Sequence, residues 1–384
     1  MTQLTALPPL SLYVHLPWCV QKCPYCDFNS HALRDDLPEE QYIEALLRDL
    51  EQDLPRVWGR RIESVYIGGG TPSLFSAKAI ARLLSELRAR IPFNPVAEIT
   101  LEANPGTVDE QRFDGFREAG VNRLSIGAQS FNDNSLKRLG RIHDSKQAAL
   151  AIATAKKAGF DKINLDLMFG LPGQTMDNAI HDIETALSLE TDHLSLYQLT
   201  IEPNTAFSAS PPTLPPDDAI WDMQQVLLDL LSKAGFERYE ISAYAKKGSQ
   251  SRHNVNYWTF GDYLGIGAGA HGKLSSHDEI VRLWKVKHPN DYLKNAGAKK
   301  GYGGVTNISD TDLPLEFMMN AMRLYEGVPL ASFQERTGLT INSMLKPLAI
   351  AEEKGFIIRD AISLRPTEHG QRFLNDMLTL FVPD

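Results

Sequence analysis

No stretch of the sequence approaches the ~18 consecutive apolar residues that a membrane-spanning helix needs, which argues against an integral helical membrane protein. Basic excess is missing too. Lys and Arg number 39 against 48 Asp and Glu, a formal charge of -9, so there is no general positive field for nucleic acid or anionic lipid. No nucleic-acid partner is expected, and membrane contact, left open as a local matter, is not predicted. Met1 to Leu10 is mildly apolar but lacks a cationic start and a long apolar core, so it is not expected to be a signal peptide. Cysteine is scarce: three in 384 residues. An odd number in a chain this long forms no disulfide framework and points to a reducing compartment, by default the cytoplasm. Hydrophobic residues make up 43%, ample for a core, and the length allows two or three domains.

What is present is concentrated. All three cysteines fall within Cys19-Val20-Gln21-Lys22-Cys23-Pro24-Tyr25-Cys26, spaced C-x3-C-x2-C. Thiolates are soft ligands, and three on one loop can converge on three corners of a 4Fe-4S cube. Proteins that only move electrons generally fix all four irons with cysteine, so the vacant fourth iron suits a cluster that binds a substrate or cofactor. The competing readings are zinc, which normally wants a fourth Cys or His nearby, and three unrelated buried thiols, which would not be expected to fall within eight residues.

From residue 11 to about 202, short β-rich runs alternate with amphipathic stretches, the signature of βα units on a parallel sheet. Strands are predicted at Ser11 to His15, Ser64 to Ile67, Glu98 to Leu101, Arg123 to Ile126, Lys162 to Leu167 and His193 to Leu199. Helices are predicted at Glu39 to Asp53, Ala77 to Arg90, Asp109 to Ala119, Ser145 to Ala158 and Met176 to Leu189. Six units fall short of the closed eight-stranded barrel, so the fold class is α/β with an open, partial (β/α)6 TIM-like barrel, its chemistry gathered at the C-terminal strand ends. Glu202 to Asp218 reads as a long connection, followed by a helix from Asp217 to Ala234 and a strand around Tyr239 to Tyr244. Residues 241–305 are taken as a connecting region between a barrel of residues 1–240 and a C-terminal α+β domain of residues 306–384. In the last, helices at Leu315 to Leu324, Leu330 to Thr337 and Ile341 to Lys354, then short strands near Ile357 and Ser363, describe a winged-helix-like module.

Several strand ends carry chemistry. Gly68-Gly69-Gly70-Thr71 follows strand two, where consecutive glycines let a ligand approach the backbone. A bland turn is the alternative. Glu102, Gln129 and Asp166 end strands three to five, and Arg141 lies twelve residues past the glutamine. Each alone is more often a cap or a solvated charge; as a set at one rim they point to a polar ligand. His253-Asn254-Val255-Asn256-Tyr257-Trp258 puts a potential iron ligand beside an amide and two aromatic faces, a haem-binding arrangement, although a lone histidine beside aromatics is more often core or surface. Gly265 to Gly272 lacks the βαβ context of a dinucleotide fingerprint and is read as a strand or loop packed against a ligand. His15, His143 and the aromatics near Trp284 have weaker claims.

The cysteine spacing, with Tyr25 before the last cysteine, resembles the radical S-adenosylmethionine (SAM) enzymes. Together with Gly68 to Ser73, Glu102 to Gly106, Gln129 to Asn132, Asn164 to Leu167, Gly170 to Pro172 and His253 to Trp258, nearly the whole chain resembles the family of oxygen-independent coproporphyrinogen III dehydrogenase, most closely its haem-chaperone branch. The resemblance implies that Cys19, Cys23 and Cys26 ligate the 4Fe-4S cluster, that Tyr13, Gly69, Gly70, Thr71, Glu102, Gln129, Arg141 and Asp166 line the SAM pocket, and that His253 contacts haem. It also implies haem-acceptor proteins and a reductant for the cluster as partners. Two departures set the chain apart from the dehydrogenases: Phe28 stands where they carry a fourth cysteine, and only eighteen residues precede Cys19, fewer than in their N-terminal arm.

The leading expectation is therefore a chaperone that takes up haem and hands it to haem proteins such as respiratory enzymes. An oxidative decarboxylase of coproporphyrinogen is the runner-up. A DNA-binding regulator ranks last, because Ile341 to Lys354 sets only Lys346 and Lys354 against Glu352 and Glu353, a poor match to a groove-facing helix.

Overall fold

The computed structural model describes residues 3–383. Its centre is a twelve-stranded sheet: β1 (Leu10–Leu16), β2 (Ile62–Gly69), β3 (Phe93–Ala103), β4 (Arg123–Gln129), β5 (Ile163–Phe169), β6 (His193–Gln198), β7 (Glu237–Arg238), β8 (Ala243–Ala245), β9 (Asp262–Ile266), β10 (His271–Ser275), β11 (Ile280–Lys285) and β12 (Tyr302–Asn307). Their spatial order is β12-β11-β10-β9-β1-β2-β3-β4-β5-β6-β8-β7. The six expected strands β1 to β6 lie side by side and parallel. The ladder runs between two ends, β12 and β7, in keeping with an open barrel.

Alternation decides the faces. On β1, Leu10, Leu12, Val14 and Leu16 are buried against the outer helices, while Ser11, Tyr13 and His15 point the other way, as a period of two requires. Register carries that polar face across the sheet: Ser11 lies beside Ser64 and Ser64 beside Glu98. Several helices begin at a side chain that caps them. Ser76 accepts from the Ala79 amide, Asp109 from Arg112, and Asp144 with Gln147 forms a reciprocal capping box.

Residues 241–305 depart from expectation. Instead of merely connecting, they supply β9, which pairs parallel to β1, and the antiparallel run β10, β11 and β12 beyond it. Two buried lysines disguised these strands. Lys285 bonds Asp49 and, at 2.6 Å, Asp53, and Lys273 bonds Asp262 at 2.9 Å. Of the strand expected at Tyr239 to Tyr244 only Ala243 and Tyr244 lie in a strand, β8; residues 239–242 form the turn after β7. The His253 motif forms a short helix, Arg252–Trp258, fastened to the inner face of the barrel: the Arg252 amide donates to Glu98 at 2.8 Å and Asn256 donates to Ser11 at 2.9 Å.

The C-terminal part has helices Leu313–Ala321, Ala331–Thr337 and Leu345–Glu353 and a small sheet of Val328–Pro329, Ser363–Pro366 and Ile357–Arg359. Its core includes Phe260 and Ile280 from the flank of the main sheet, and Arg282 of β11 pairs with Glu316. The module is thus packed on the β9–β12 extension.

Candidate functional site

The cysteine loop leaves the top of β1. Trp18–Cys19 pairs with His31–Ala32, closing the loop into a bracket. The amides of Gly70 and Thr71 donate to the carbonyls of Leu16 and Trp18 at 2.8 and 2.7 Å, binding the loop to the turn after β2. A Cβ on Gly70 would lie 2.5 Å from the Trp18 carbonyl oxygen, and one on Gly69, at φ +123°, would lie 2.8 Å from the His15 ring. Both glycines are therefore required by the chain's own packing, and they also border a cavity.

That cavity, about 380 Å³, is lined by Cys19, Cys23 and Cys26 together with Gly69, Gly70, Thr71, Glu102, Gln129, Arg141 and Asp166. All three thiols and seven of the eight residues expected around SAM thus meet in one space. Among the described residues no three His, Cys, Asp or Glu side chains are placed to hold a single metal ion. A cluster asks something else, one thiolate on each of several irons. The donor set fits it, three thiols from one loop lining one cavity; burial and the neighbouring thiols raise the Cys19 pKa against the opposing Thr71 hydroxyl, so the thiol keeps a proton that iron would displace. Two thiols are less buried, and Arg141 reaches the Cys23 sulfur at 3.7 Å. Arg141 Nε is buried without a hydrogen-bond partner among the described residues, a donor suited to an anionic group in the cavity.

The two carboxylates sit in similar surroundings, each partly buried and each accepting two hydrogen bonds. Glu102 accepts from the Tyr66 hydroxyl at 2.9 Å and the Gly69 amide at 3.1 Å, yet burial, reinforced by the Asp166 charge, pushes its pKa up to about 7. Asp166 accepts from Asn164 at 2.8 Å and Ser125 at 3.0 Å, and burial raises its pKa despite them. Gln129 has φ +68°, a left-handed backbone uncommon outside glycine. Asp182, on helix Met176–Ser188, holds the chain just beyond it, accepting from the Ser130 hydroxyl at 2.9 Å and the Phe131 amide at 2.6 Å. Asp182 went unrecognised in the sequence because it lies mid-helix with no local signal. Tyr197 and Glu202 were missed as well, although Tyr197 on β6 shares the polar face of the strands.

Tyr13 and His253 line a second cavity of about 720 Å³. Tyr13 is the one expected SAM residue that does not border the first. Its hydroxyl meets His15 Nδ1 at 3.0 Å, and its ring is 6.4 Å from that of His253. His253 lies against Tyr66, ring centroids 5.0 Å apart, with Nδ1 3.4 Å from Ser64 Oγ. Burial lowers its pKa to about 4, which keeps the imidazole neutral. Asp27, Phe28, Gly69 and Glu102 border both cavities, so the two share a wall. His143 is buried with Nε2 3.0 Å from the Ala128 carbonyl, away from either space. The glycines of 265–272 are committed to the chain itself: a Cβ on Gly265 would meet the His271 carbonyl oxygen at 2.0 Å, and one on Gly267 the His15 carbonyl oxygen at 2.3 Å. They let strands approach one another, and Gly269 alone of the set from 265 to 269 also borders the second cavity.

Comparison with known proteins agrees with this arrangement. The radical SAM superfamily profile matches residues 13–186 and the HemN C-terminal domain profile residues 308–373. The chain is 51% identical to the protein named heme chaperone HemW of Haemophilus influenzae, covering 98% of this chain and 99% of that one. It is 49% identical to its counterpart in Escherichia coli, over 99% of this chain and the whole of the other, and 34% identical to that of Bacillus subtilis, over 97% and 99%. In structure it superposes on coproporphyrinogen III oxidase (HemN) of Escherichia coli with a TM-score of 0.82 at 24% identity, covering 98% of this chain and 90% of that one. This second likeness establishes the fold. With full-length identity of this order, and with the thiols and strand-end residues gathered in one cavity, the chain belongs to the HemW family of radical SAM proteins.

Proposed function

We propose that the protein is a haem chaperone: it binds a 4Fe-4S cluster and SAM in the first cavity, takes haem into the second, and passes it to haem proteins such as respiratory enzymes. The observation that carries this reading is the shared wall. Asp27, Phe28, Gly69 and Glu102 face the thiol-lined space on one side and the space holding His253 on the other, so occupation of one can be felt in the other. The relatives' names point the same way.

Cys19, Cys23 and Cys26 would hold the cluster, and Gly69, Gly70, Thr71, Glu102, Gln129, Arg141 and Asp166 would hold SAM. When bound, that pair supplies one-electron chemistry, and the protein supplies position and electrostatics. Arg141 offsets thiolate charge from beside Cys23. Glu102, with a pKa about 7, stands near the midpoint of its titration at neutral pH and can accept from an ammonium. The loop from Cys19 to Phe28 borders the cavity at the strand ends. His253, kept neutral, would offer a nitrogen to haem iron. A reductant for the cluster and haem-acceptor proteins complete the partners, in the cytoplasm. Among the described residues no helix is long and apolar enough to cross a membrane.

The test is to titrate haem into the anaerobically reconstituted protein and its His253→Ala variant, following the haem absorption band. Saturable binding that weakens in the variant is expected. No saturable binding to the parent, combined with SAM- and reductant-dependent conversion of coproporphyrinogen, would hand the site to the decarboxylase.

A further inference from the structure

Three histidines border the second cavity, and they differ in what their ring nitrogens already do. His15 has both engaged, Nδ1 with the Tyr13 hydroxyl at 3.0 Å and Nε2 with the Asn29 carbonyl at 2.9 Å. His253 has Nδ1 beside Ser64 and its ring against Tyr66. His271, the first residue of β10, is exposed, and among the described residues neither of its nitrogens has a hydrogen-bond partner. What fixes it is packing: its ring stacks on Trp284, its register neighbour on β11, with centroids 6.3 Å apart and planes 20° from parallel. Trp284 is itself seated over Gly303 and Gly304, where any Cβ would strike its ring at 2.6 and 2.1 Å. The glycines thus make room for a flat aromatic support behind an unengaged imidazole. Partial desolvation in the cavity wall, then the Lys287 and Arg282 charges, lowers the His271 pKa, favouring the neutral form that binds metals.

Charge is also sorted across this cavity. The carboxylates, Asp27 and Glu102, lie on the wall shared with the thiol-lined space, whereas Lys22, Lys287 and His271 border the second cavity alone. Both lysines are exposed, and Lys22 Nζ donates to the Phe28 carbonyl at 3.1 Å. A ligand with an acidic edge would turn that edge towards the lysines, away from Glu102. At about 720 Å³ the space falls in the usual range for a cofactor-sized ligand.

We propose that His271 is an iron ligand for haem held in this cavity, with Lys22 and Lys287 pairing with its propionates. The assignment rests on the haem-chaperone reading and adds the side from which the hairpin β9–β10 grips the cargo. Haem would be titrated into the anaerobically reconstituted parent, into His271→Gly with and without added imidazole, and into a Lys22→Ala/Lys287→Ala double variant. His271→Gly should move the absorption band and weaken binding by about tenfold or more, with imidazole restoring the band. The lysine variant should weaken binding while keeping the band. His271→Gln, which keeps bulk on the strand, gives the same reading if glycine loosens the hairpin. A parent that binds haem saturably while both His271 variants keep its band and affinity overturns the ligand assignment alone, and an unweakened lysine variant overturns the propionate contacts. A parent that does not bind haem brings down the chaperone reading and this inference with it.

Discussion

Arg141 reaches the Cys23 sulfur with Nη1 at 3.7 Å and the Gly127 carbonyl with Nη2 at 2.7 Å. One guanidinium therefore ties the cysteine loop to the end of β4, a span of 118 residues in sequence. It also brings a permanent positive charge to a place where three thiolates would otherwise repel one another. Replacing Arg141 by Gln keeps a donor and removes the charge. Iron should then be lost to a chelator roughly ten times faster or more, with Arg141→Lys in between. Equal rates of iron loss in parent and Arg141→Gln would show that the charge is not needed.

Glu102 gives the site a pH signature of known sign. Its folded pKa, about 7, lies above its ordinary 4.5, so the folded protein holds a proton that the unfolded chain gives up. The stability this confers is fully present below the ordinary value and is lost as pH rises through about 7. Glu102→Gln, neutral at every pH, should flatten that part of the profile. Melting temperatures of parent and variant across this window test it. A difference between them that does not change with pH would mean that Glu102 titrates as it does in water.

Lys285 bonds two buried aspartates, with Arg56 further off at 3.7 Å from Asp53, and Tyr292 and Tyr302 donate to the same pair. Removing Lys285 strands Asp49 in the core and leaves Asp53 only its longer contact with Arg56, at 3.7 Å, for which the cost is about 3–5 kcal/mol. Lys156, whose contact with Glu190 at 3.8 Å is largely exposed, should cost about 0–1 kcal/mol on removal. Urea unfolding of Lys285→Ala and Lys156→Ala would rank them. Equal midpoints would mean that the Asp49 and Asp53 cluster takes up protons instead of needing its lysine.

These networks explain what could be read in advance. β1 to β6 announce themselves through alternating apolar residues, the bounds of helix Ala77–Arg90 follow from period and its Ser76 cap, and those of Glu39–Asp53 from period after Pro38. β9 to β12 do not. Lys273 and Lys285 stand where strands usually bury apolar groups, and their partners Asp262, Asp49 and Asp53 are identified only by folding; Gly265, Gly272, Gly303 and Gly304 weaken the strand signal further. The thiol-lined cavity was legible because its parts lie at strand ends, which a parallel barrel must bring to one rim. That Tyr13 borders the neighbouring space was not, since period fixes the face of a strand but not which of two adjoining cavities its side chain meets. His271 carries no motif, and its standing comes from stacking on Trp284 across a strand pair.

Phe28 occupies the shared wall, 66% exposed and bordering both cavities. An aromatic ring left this open at a cavity mouth has little to gain from packing on its own chain and much to gain from covering a large apolar ligand. Phe28→Ala should leave the cluster content unchanged, since no thiol depends on the ring. Haem loaded on the variant should pass to an excess of a haem-scavenging apoprotein about ten times faster, the equivalent of roughly 1.4 kcal/mol of lost contact. Phe28→Leu should fall between the two. Stopped-flow measurement of haem release, with iron content determined in parallel, decides the matter: unchanged release from Phe28→Ala at full cluster occupancy would take Phe28 out of the haem site, whereas faster release accompanied by iron loss would place its effect on the cysteine loop.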